Sequence, residues 1–442
     1  MTITQKNNLR AGQRLLDHLG RYGAILGLHL LAFGALFKVS WGNAALGFLL
    51  LAALVGLATH PRAWCRQKWL ILLLTYWMVV LASSLRAHHL YPEEVETITQ
   101  AAWAASYRGA LSIVLVAWAV HIAKPRLDVL LGLLASGFAL RIASQLDATT
   151  WQELLSGQAR ATFGNAATLF GLWCGGCLVG LAAHAPCFLG SQKMRLARLG
   201  VWLGGLCFFA AGLVASGARL AWLATALVLL AMWWHRPAAA YTPGAMASGR
   251  AGRLGVLAAV LILGAVALSQ HTGVRARLGE SAQVIRQLLT TGQIPTQGHS
   301  SLQIRLRLTS WALRHIAEHP IVGHGPGTIA PLLAQDGFMD EAGKPYRHVH
   351  NSTLQLALEL GVLGLALYVL MAIWILQALR QADIPPPQRL TLEAGLTLYA
   401  LCSLGDEVLA SYHGGFVLAL LAGLPYGVTW ERFALHTGTT HA

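Results

Sequence analysis

Two arginines and a histidine stand beside apolar runs, where charge is costly, and a third arginine lies on the same outer side. Arg160, in Arg160-Ala-Thr-Phe-Gly-Asn165, precedes an apolar run; Arg219 sits in the short turn Ser216-Gly-Ala-Arg219 between two more; Arg307 lies in Gln303–His319. An arginine near hydrocarbon costs on the order of 2.5–3.5 kcal/mol at a helix centre and less at its edge. One alone can snorkel to lipid phosphate. Three together, with few carboxylates in the same segments, fit an anionic ligand better, and planar, forked guanidinium donors suit a pyrophosphate. The histidine belongs to His348-Val-His350-Asn351-Ser-Thr353, at the start of another apolar run, where Ser352 and Thr353 can cap a helix. The positive end of the helix dipole disfavours imidazolium there. A neutral imidazole is what a general base needs. Taken alone, such a histidine is more often a structural hydrogen-bonder; neighbours decide.

These groups need elements to hold them. Gln303–His319 reads as a helix ended by Pro320, with Arg307, Trp311, Arg314 and Glu318 on one face. Gly323-His-Gly-Pro-Gly327 follows, a glycine-rich turn that brings backbone close to a neighbour rather than a nucleotide loop, since no strand precedes it. Past His350, Asn351, Gln355 and Glu359 recur at spacing four as a polar stripe, and Gly361 and Gly364 permit close helix packing. His88-His-Leu-Tyr-Pro-Glu93-Glu-Val-Glu96 has the groups to hold a cation but no dedicated metal spacing, so a solvated acidic loop is expected. Asp406-Glu407 reads evenly as acceptor contact or solvated cap. Cys174-Gly-Gly-Cys177 lies inside an apolar run, where packing outweighs redox chemistry.

The scaffold is a membrane protein. Of 442 residues, 55% are hydrophobic and only 11% charged, against roughly a quarter charged in a soluble domain. Apolar runs at 22–38, 43–59, 69–85, 109–123, 127–143, 164–184, 199–215, 220–235, 254–270, 361–379, 390–405 and 414–430 give about twelve transmembrane helices. This all-α polytopic pattern excludes a soluble enzyme, a disordered chain and, despite the net charge of +14, a nucleic-acid binder. Lys and Arg favour cytoplasmic loops. One side carries 18 basic against 5 acidic groups, the other 14 against 13, which places both termini in the cytoplasm. Residues 1–21 form a cytoplasmic N-terminus in which 9–20 suit an interfacial helix. Helices one to nine then occupy 22–270, a large outer loop 271–349, the last three helices 350–430 and a cytoplasmic tail 431–442. Residues 236–253 read as a linker. No cysteine falls in an outer loop, so no structural disulfide is expected.

In order along the chain, Arg160…Gly164-Asn165, Ser216-Gly-Ala-Arg219, Arg307-x3-Trp311…His319-Pro320-x2-Gly323-x-Gly325-x-Gly327 and His350-Asn351-x9-Gly361-x2-Gly364 resemble the O-antigen ligase superfamily of bacterial envelope glycosyltransferases. The resemblance covers the middle and C-terminal two-thirds and is nearest to the lipid A-core:O-antigen ligases of the WaaL type. One departure is the extra residue between Ser216 and Arg219, where many members place arginine directly after serine. The resemblance implies a GT-C-type inverting transferase of the bacterial inner membrane, working at the periplasmic face. Its donor would be O-antigen on undecaprenyl pyrophosphate and its acceptor a sugar hydroxyl of lipid A-core. By the same carry-over His350 is the base, Arg160, Arg219 and Arg307 hold the pyrophosphate, and Asn351 orients the histidine or the acceptor. Trp311, Gly361, Gly364 and His348 are supporting residues. No cofactor or metal is implied. The alternatives are an O-antigen polymerase, a protein O-oligosaccharyltransferase, which often carries an extra C-terminal periplasmic domain, and a lipid-linked oligosaccharide flippase. The flippase is disfavoured because polar residues gather at one face rather than at the bilayer midplane.

Overall fold

Long leucine-, alanine- and glycine-rich runs satisfy their backbone polar groups internally only as helices when water is absent. The computed structural model describes residues 3–147, 149–150, 152, 160–189, 195–234, 272–294, 300–339, 343–344, 346–409 and 411–433, and their regular structure is helical. The principal helices are α1 Ile3–Phe37, α2 Val39–Thr59, α3 Lys68–Leu90, α4 Val95–Ser106, α5 Ser112–Ala123, α6 Leu127–Gln145, α7 Ala167–Ala183, α8 Arg195–Ala215 and α9 Arg219–Trp234. They continue with α10 Thr272–Thr291, α11 Ser301–Glu318, α12 Ile329–Gln335, α13 Ser352–Gln381, α14 Pro386–Ser403 and α15 Tyr412–Val428.

Among the described residues, seven helices are long and apolar enough to cross a membrane, and α7, α9 and α15 are shorter apolar helices. The expected span 254–270, the linker 236–253 and residues 434–442 of the tail lie outside the described residues. Each other expected span falls on a helix, although α14, with Arg389 and Glu393, is not among the seven. Residues 9–20 do not form a separate element but run into the first span within α1.

The chain folds as two compact units. The first comprises Met1–Ser144, Ala312–Leu396 and Ser403–Ala442. Its centre is α15, buried from His413 to Gly427 at every residue but Leu418. Gly423 and Gly427 lie against Val116, Ala117 and Val120 of α5, and only glycine leaves the room for that approach. Trp64, Trp118 and Trp430 pack with ring centroids 5.0–5.5 Å apart. Arg141, a buried charge in α6, donates to His413 Nε2 at 2.6 Å and to the Leu36 carbonyl, tying α6 to α15 and α1.

The second unit comprises Gln145–Trp311 and Thr397–Cys402. Here Gly212 of α8 lies on the Cys174 sulfur, and Gly175 lies against Thr225 of α9. Cys174 and its neighbouring glycine are thus packing residues, and all six cysteines are free.

One helix in the first unit is interrupted by design of its sequence. At Gly361 α13 adopts φ 65°, ψ −165°, a conformation essentially restricted to glycine. The break orphans backbone groups on both sides, and the glycine-rich segment satisfies them. His324 N–H donates to the Leu358 carbonyl at 2.8 Å and Gly325 N–H to that of Glu359 at 2.9 Å. Val362 N–H and Leu363 N–H donate back to the carbonyls of Pro320 and Ile321. Ser83 of α3 adds its hydroxyl to the Val322 and Glu359 carbonyls, and Arg86 donates to that of Gly323. Residues 320–325, which lead into Gly323-His-Gly-Pro-Gly327, are therefore a splint for a broken helix.

Candidate active site

In the first unit a group of polar side chains gathers at the start of α13. Asn351 caps the helix, its Oδ1 accepting from Thr353 N–H and Leu354 N–H, both at 3.0 Å. Its Nδ2 donates to the Leu404 carbonyl at 2.8 Å. Ser352, one of the two residues expected to cap, instead donates its hydroxyl to the Asp406 carbonyl at 3.0 Å and accepts from Val408 N–H at 2.8 Å. These bonds fasten residues 404–408 across the helix N-terminus.

That fastening brings Asp406 to His350. Asp406 Oδ1 lies 3.1 Å from His350 Nδ1 and also accepts from Glu407 N–H at 2.9 Å. The carboxylate is buried, 8% exposed, while the imidazole is 24% exposed. An Nδ1–H donated to a fixed carboxylate places the neutral ring's lone pair on Nε2 and sets its orientation. His350 holds φ 52°, a left-handed conformation that histidine tolerates better than most residues. The His348 ring stands edge-on to it at 4.3 Å, with Tyr346 at 6.3 Å. Asn351 thus positions the backbone beneath the histidine, and Asp406 holds the ring. Asp406 is the residue that sequence reasoning left undecided; its adjacency to an apolar helix end was the available signal.

Deeper in α13, Gln355 is buried with its Nε2 3.5 Å from Glu359 Oε1, so the polar stripe faces the protein interior. Gly364 lies tight against Leu360 of its own helix. Near the splint, burial holds the His324 imidazole below its ordinary range, and the Tyr91 hydroxyl beside it is pushed up, also by burial.

In the second unit Arg160 and Arg219 meet at one turn. Gly217, at φ 58°, reverses the chain between α8 and α9, and Ser216 Oγ accepts from Ala218 N–H at 3.1 Å while donating to the Leu213 carbonyl. Arg160 Nε and Nη2 donate to the Ser216 and Gly217 carbonyls at 3.0 and 3.1 Å, and Ala161 N–H bonds to the Ala215 carbonyl. Arg219 opens α9, half-buried, and donates to the Ser281 hydroxyl on α10. Arg307 is half-buried on α11, one turn before Trp311, which is fully buried. Glu93, exposed, and Glu94, half-buried, lie in a short turn before α4, and Glu96 pairs with Gln100. Among the described residues these three glutamates do not join a candidate metal cluster.

No curated protein matches the chain. Residues 203–369, however, match the family model described as O-antigen ligase, a segment that holds Arg219, Arg307, Trp311, His348, His350, Asn351, Gly361 and Gly364 together.

Proposed function

We propose that this chain is an inverting glycosyltransferase of the bacterial inner membrane that moves O-antigen from undecaprenyl pyrophosphate to a sugar hydroxyl of lipid A-core. The observation that carries the reading is the match of residues 203–369 to the O-antigen ligase family model, over a segment that includes Arg219, Arg307 and His350 but not Arg160. His350 Nε2 takes the proton of the acceptor hydroxyl, with Asp406 holding the opposite nitrogen. The freed oxygen bonds to the anomeric carbon as the C–O bond to pyrophosphate breaks. Undecaprenyl pyrophosphate leaves with the electron pair, and the anomeric configuration inverts. Arg160, Arg219 and Arg307 hold the pyrophosphate and stabilise the charge that grows on it. Such preorganised electrostatics is usually the largest single catalytic term. Guanidinium groups fill the place a divalent cation takes elsewhere, so transfer proceeds without a cofactor. In this reading the bias of basic residues among the loops puts both termini in the cytoplasm and the reacting groups in the periplasm, in contact with membrane lipids.

An envelope polysaccharide gel of a deletion strain, with lipid-linked glycan measured in parallel, tests this reading. Loss of a ligase leaves rough core and accumulated long lipid-linked chains. Core bearing at most one repeat unit instead identifies a polymerase and overturns it.

A further inference from the structure

The end of α11 and the splint after it carry a second set of donors that the transfer chemistry does not use. His315 and Glu318 lie on the last turn of α11, His319 just beyond it, and His324 between two glycines of the splint. His315 Nδ1 is 2.9 Å from Glu318 Oε2, and His324 Nε2 is 3.9 Å from the same oxygen. One ligand atom from each of the three lies within 4.8 Å of the others. Two imidazole nitrogens and one carboxylate oxygen at such separations are the donor set and spacing of a tetrahedral zinc-type site with water in the fourth place. Glu318, 54% exposed, leaves the group open to solvent, while His324 is 2% exposed and fixed.

The outer partners point the same way. Histidines that bind metal donate their other ring nitrogen to a carboxylate or another oxygen, which fixes the tautomer. Asp336 Oδ2 lies 2.9 Å from His315 Nε2, leaving Nδ1 directed at Glu318. The Tyr91 hydroxyl lies 3.2 Å from His324 Nδ1. His324 Nε2 now bonds to the His315 carbonyl at 3.0 Å. A tautomer change that moves the proton to Nδ1, facing Tyr91, turns Nε2 into a ligand without moving the ring. His319 packs edge-on against His324 at 4.6 Å and walls one side. A plain ion pair accounts for His315 and its two carboxylates; His324, held by Tyr91 and the His315 carbonyl, adds a second, buried imidazole nitrogen 3.9 Å from the same Glu318 oxygen.

We infer that His315 Nδ1, Glu318 Oε2 and His324 Nε2 form a binding site for a divalent cation of the zinc class. The ion would fasten the splint to the end of α11 and so brace the break at Gly361. Its role is structural and separate from proton transfer at His350.

The test uses untagged, chelator-stripped whole protein in detergent, titrated with ZnCl2 against a chromophoric zinc indicator. CoCl2, followed by its visible spectrum, reports coordination geometry. One equivalent of zinc should bind, magnesium in excess should not displace it, and cobalt should give the intense bands of a tetrahedral site. His315→Ala and His324→Ala should each abolish the equivalent. Asp336→Asn, which leaves every ligand in place, should weaken it by about 10–100-fold. If the histidine variants do not fold, Glu318→Gln decides, because its side chain is exposed and its loss should weaken binding at least about tenfold. Absence of a bound equivalent, or an equivalent that survives Glu318→Gln and the histidine variants, overturns the site. So does one lost on His348→Ala, which would put the ion at His348, His350 and Asp406.

Discussion

At the scale of single residues, the transfer reading separates chemistry from binding. His350 is a ring held by one buried carboxylate, so its two nitrogens have different duties. His350→Gln keeps the size and removes the basic nitrogen. Transfer by the purified enzyme at saturating donor should fall roughly 10²–10⁴-fold, the usual worth of a positioned base, with donor affinity unchanged. Asp406→Asn should approach that loss, because an amide can donate to the ring and favour the wrong tautomer. Near-normal turnover in either variant removes the assignment. Arg219 should behave oppositely. Arg219→Ala should weaken donor binding about ten- to a hundredfold, since charge-assisted contacts are worth roughly 1.5–3 kcal/mol each. Arg219→Lys should recover only part of that, having the charge without the fork. Equal donor affinity in wild type and Arg219→Ala would sink the pyrophosphate role. His350, Arg160 and Arg219 could be picked out in the sequence because a polar residue beside hydrocarbon is conspicuous, and Arg307 by the helix face and motif it shares with Trp311. Asp406 could not be paired with His350, because 56 residues separate them and no spacing rule spans that gap.

At the scale of elements, α13 is the informative one. Its apolar pattern and its two glycines were legible, and close packing was the expected consequence. The structure shows that Gly361 ends one helical segment and starts another, with residues 320–325 bonded to the exposed backbone groups. Hydropathy cannot reveal this, because the interruption lies in φ and ψ rather than in side-chain polarity. A Cβ at Gly361 would collide with the Ile321 carbonyl, on top of a backbone strain of about 1–3 kcal/mol. Gly361→Ala should therefore lower the unfolding temperature measured in detergent, or prevent folding. Gly132→Ala, in α6 with no neighbour within 4 Å, should leave that temperature unchanged or slightly higher, since alanine gains roughly 0.5–1 kcal/mol over glycine inside a helix. A Gly361→Ala protein as stable as wild type would show that the break is not held by the splint. The same reasoning applies to the cap: Ser352 and Thr353 have the residue type for it, but Asn351 is the one whose oxygen reaches the N–H groups.

At the scale of the whole molecule, the loop charges predict an orientation that labelling can read. Cys65 and Cys187 are exposed in loops assigned to the cytoplasm. In intact spheroplasts a membrane-impermeant maleimide should leave both unmodified, and it should modify both after lysis. Glu93→Cys, on the opposite side, should react in intact spheroplasts. The reverse pattern would move the candidate base and arginines into the cytoplasm, where a periplasmic ligase is untenable. The separation into two units was not legible, because residues 397–402 join the second unit from within an otherwise first-unit stretch. Contacts of that kind arise only when the chain is folded.

What the sequence by itself determined was the solvent and the local geometry. Continuous apolar runs demand helices in hydrocarbon, and isolated arginines and a histidine before a helix stand out as candidates for chemistry. What only the tertiary structure decided was partnership. Asp406 reaches His350, Arg160 clamps the turn that presents Arg219, and the glycine segment repairs a helix broken at Gly361. The physical reason is range. Hydropathy and helix periodicity act over a few turns of chain, whereas a hydrogen bond between residues 56 positions apart exists only once packing has brought them to 3 Å.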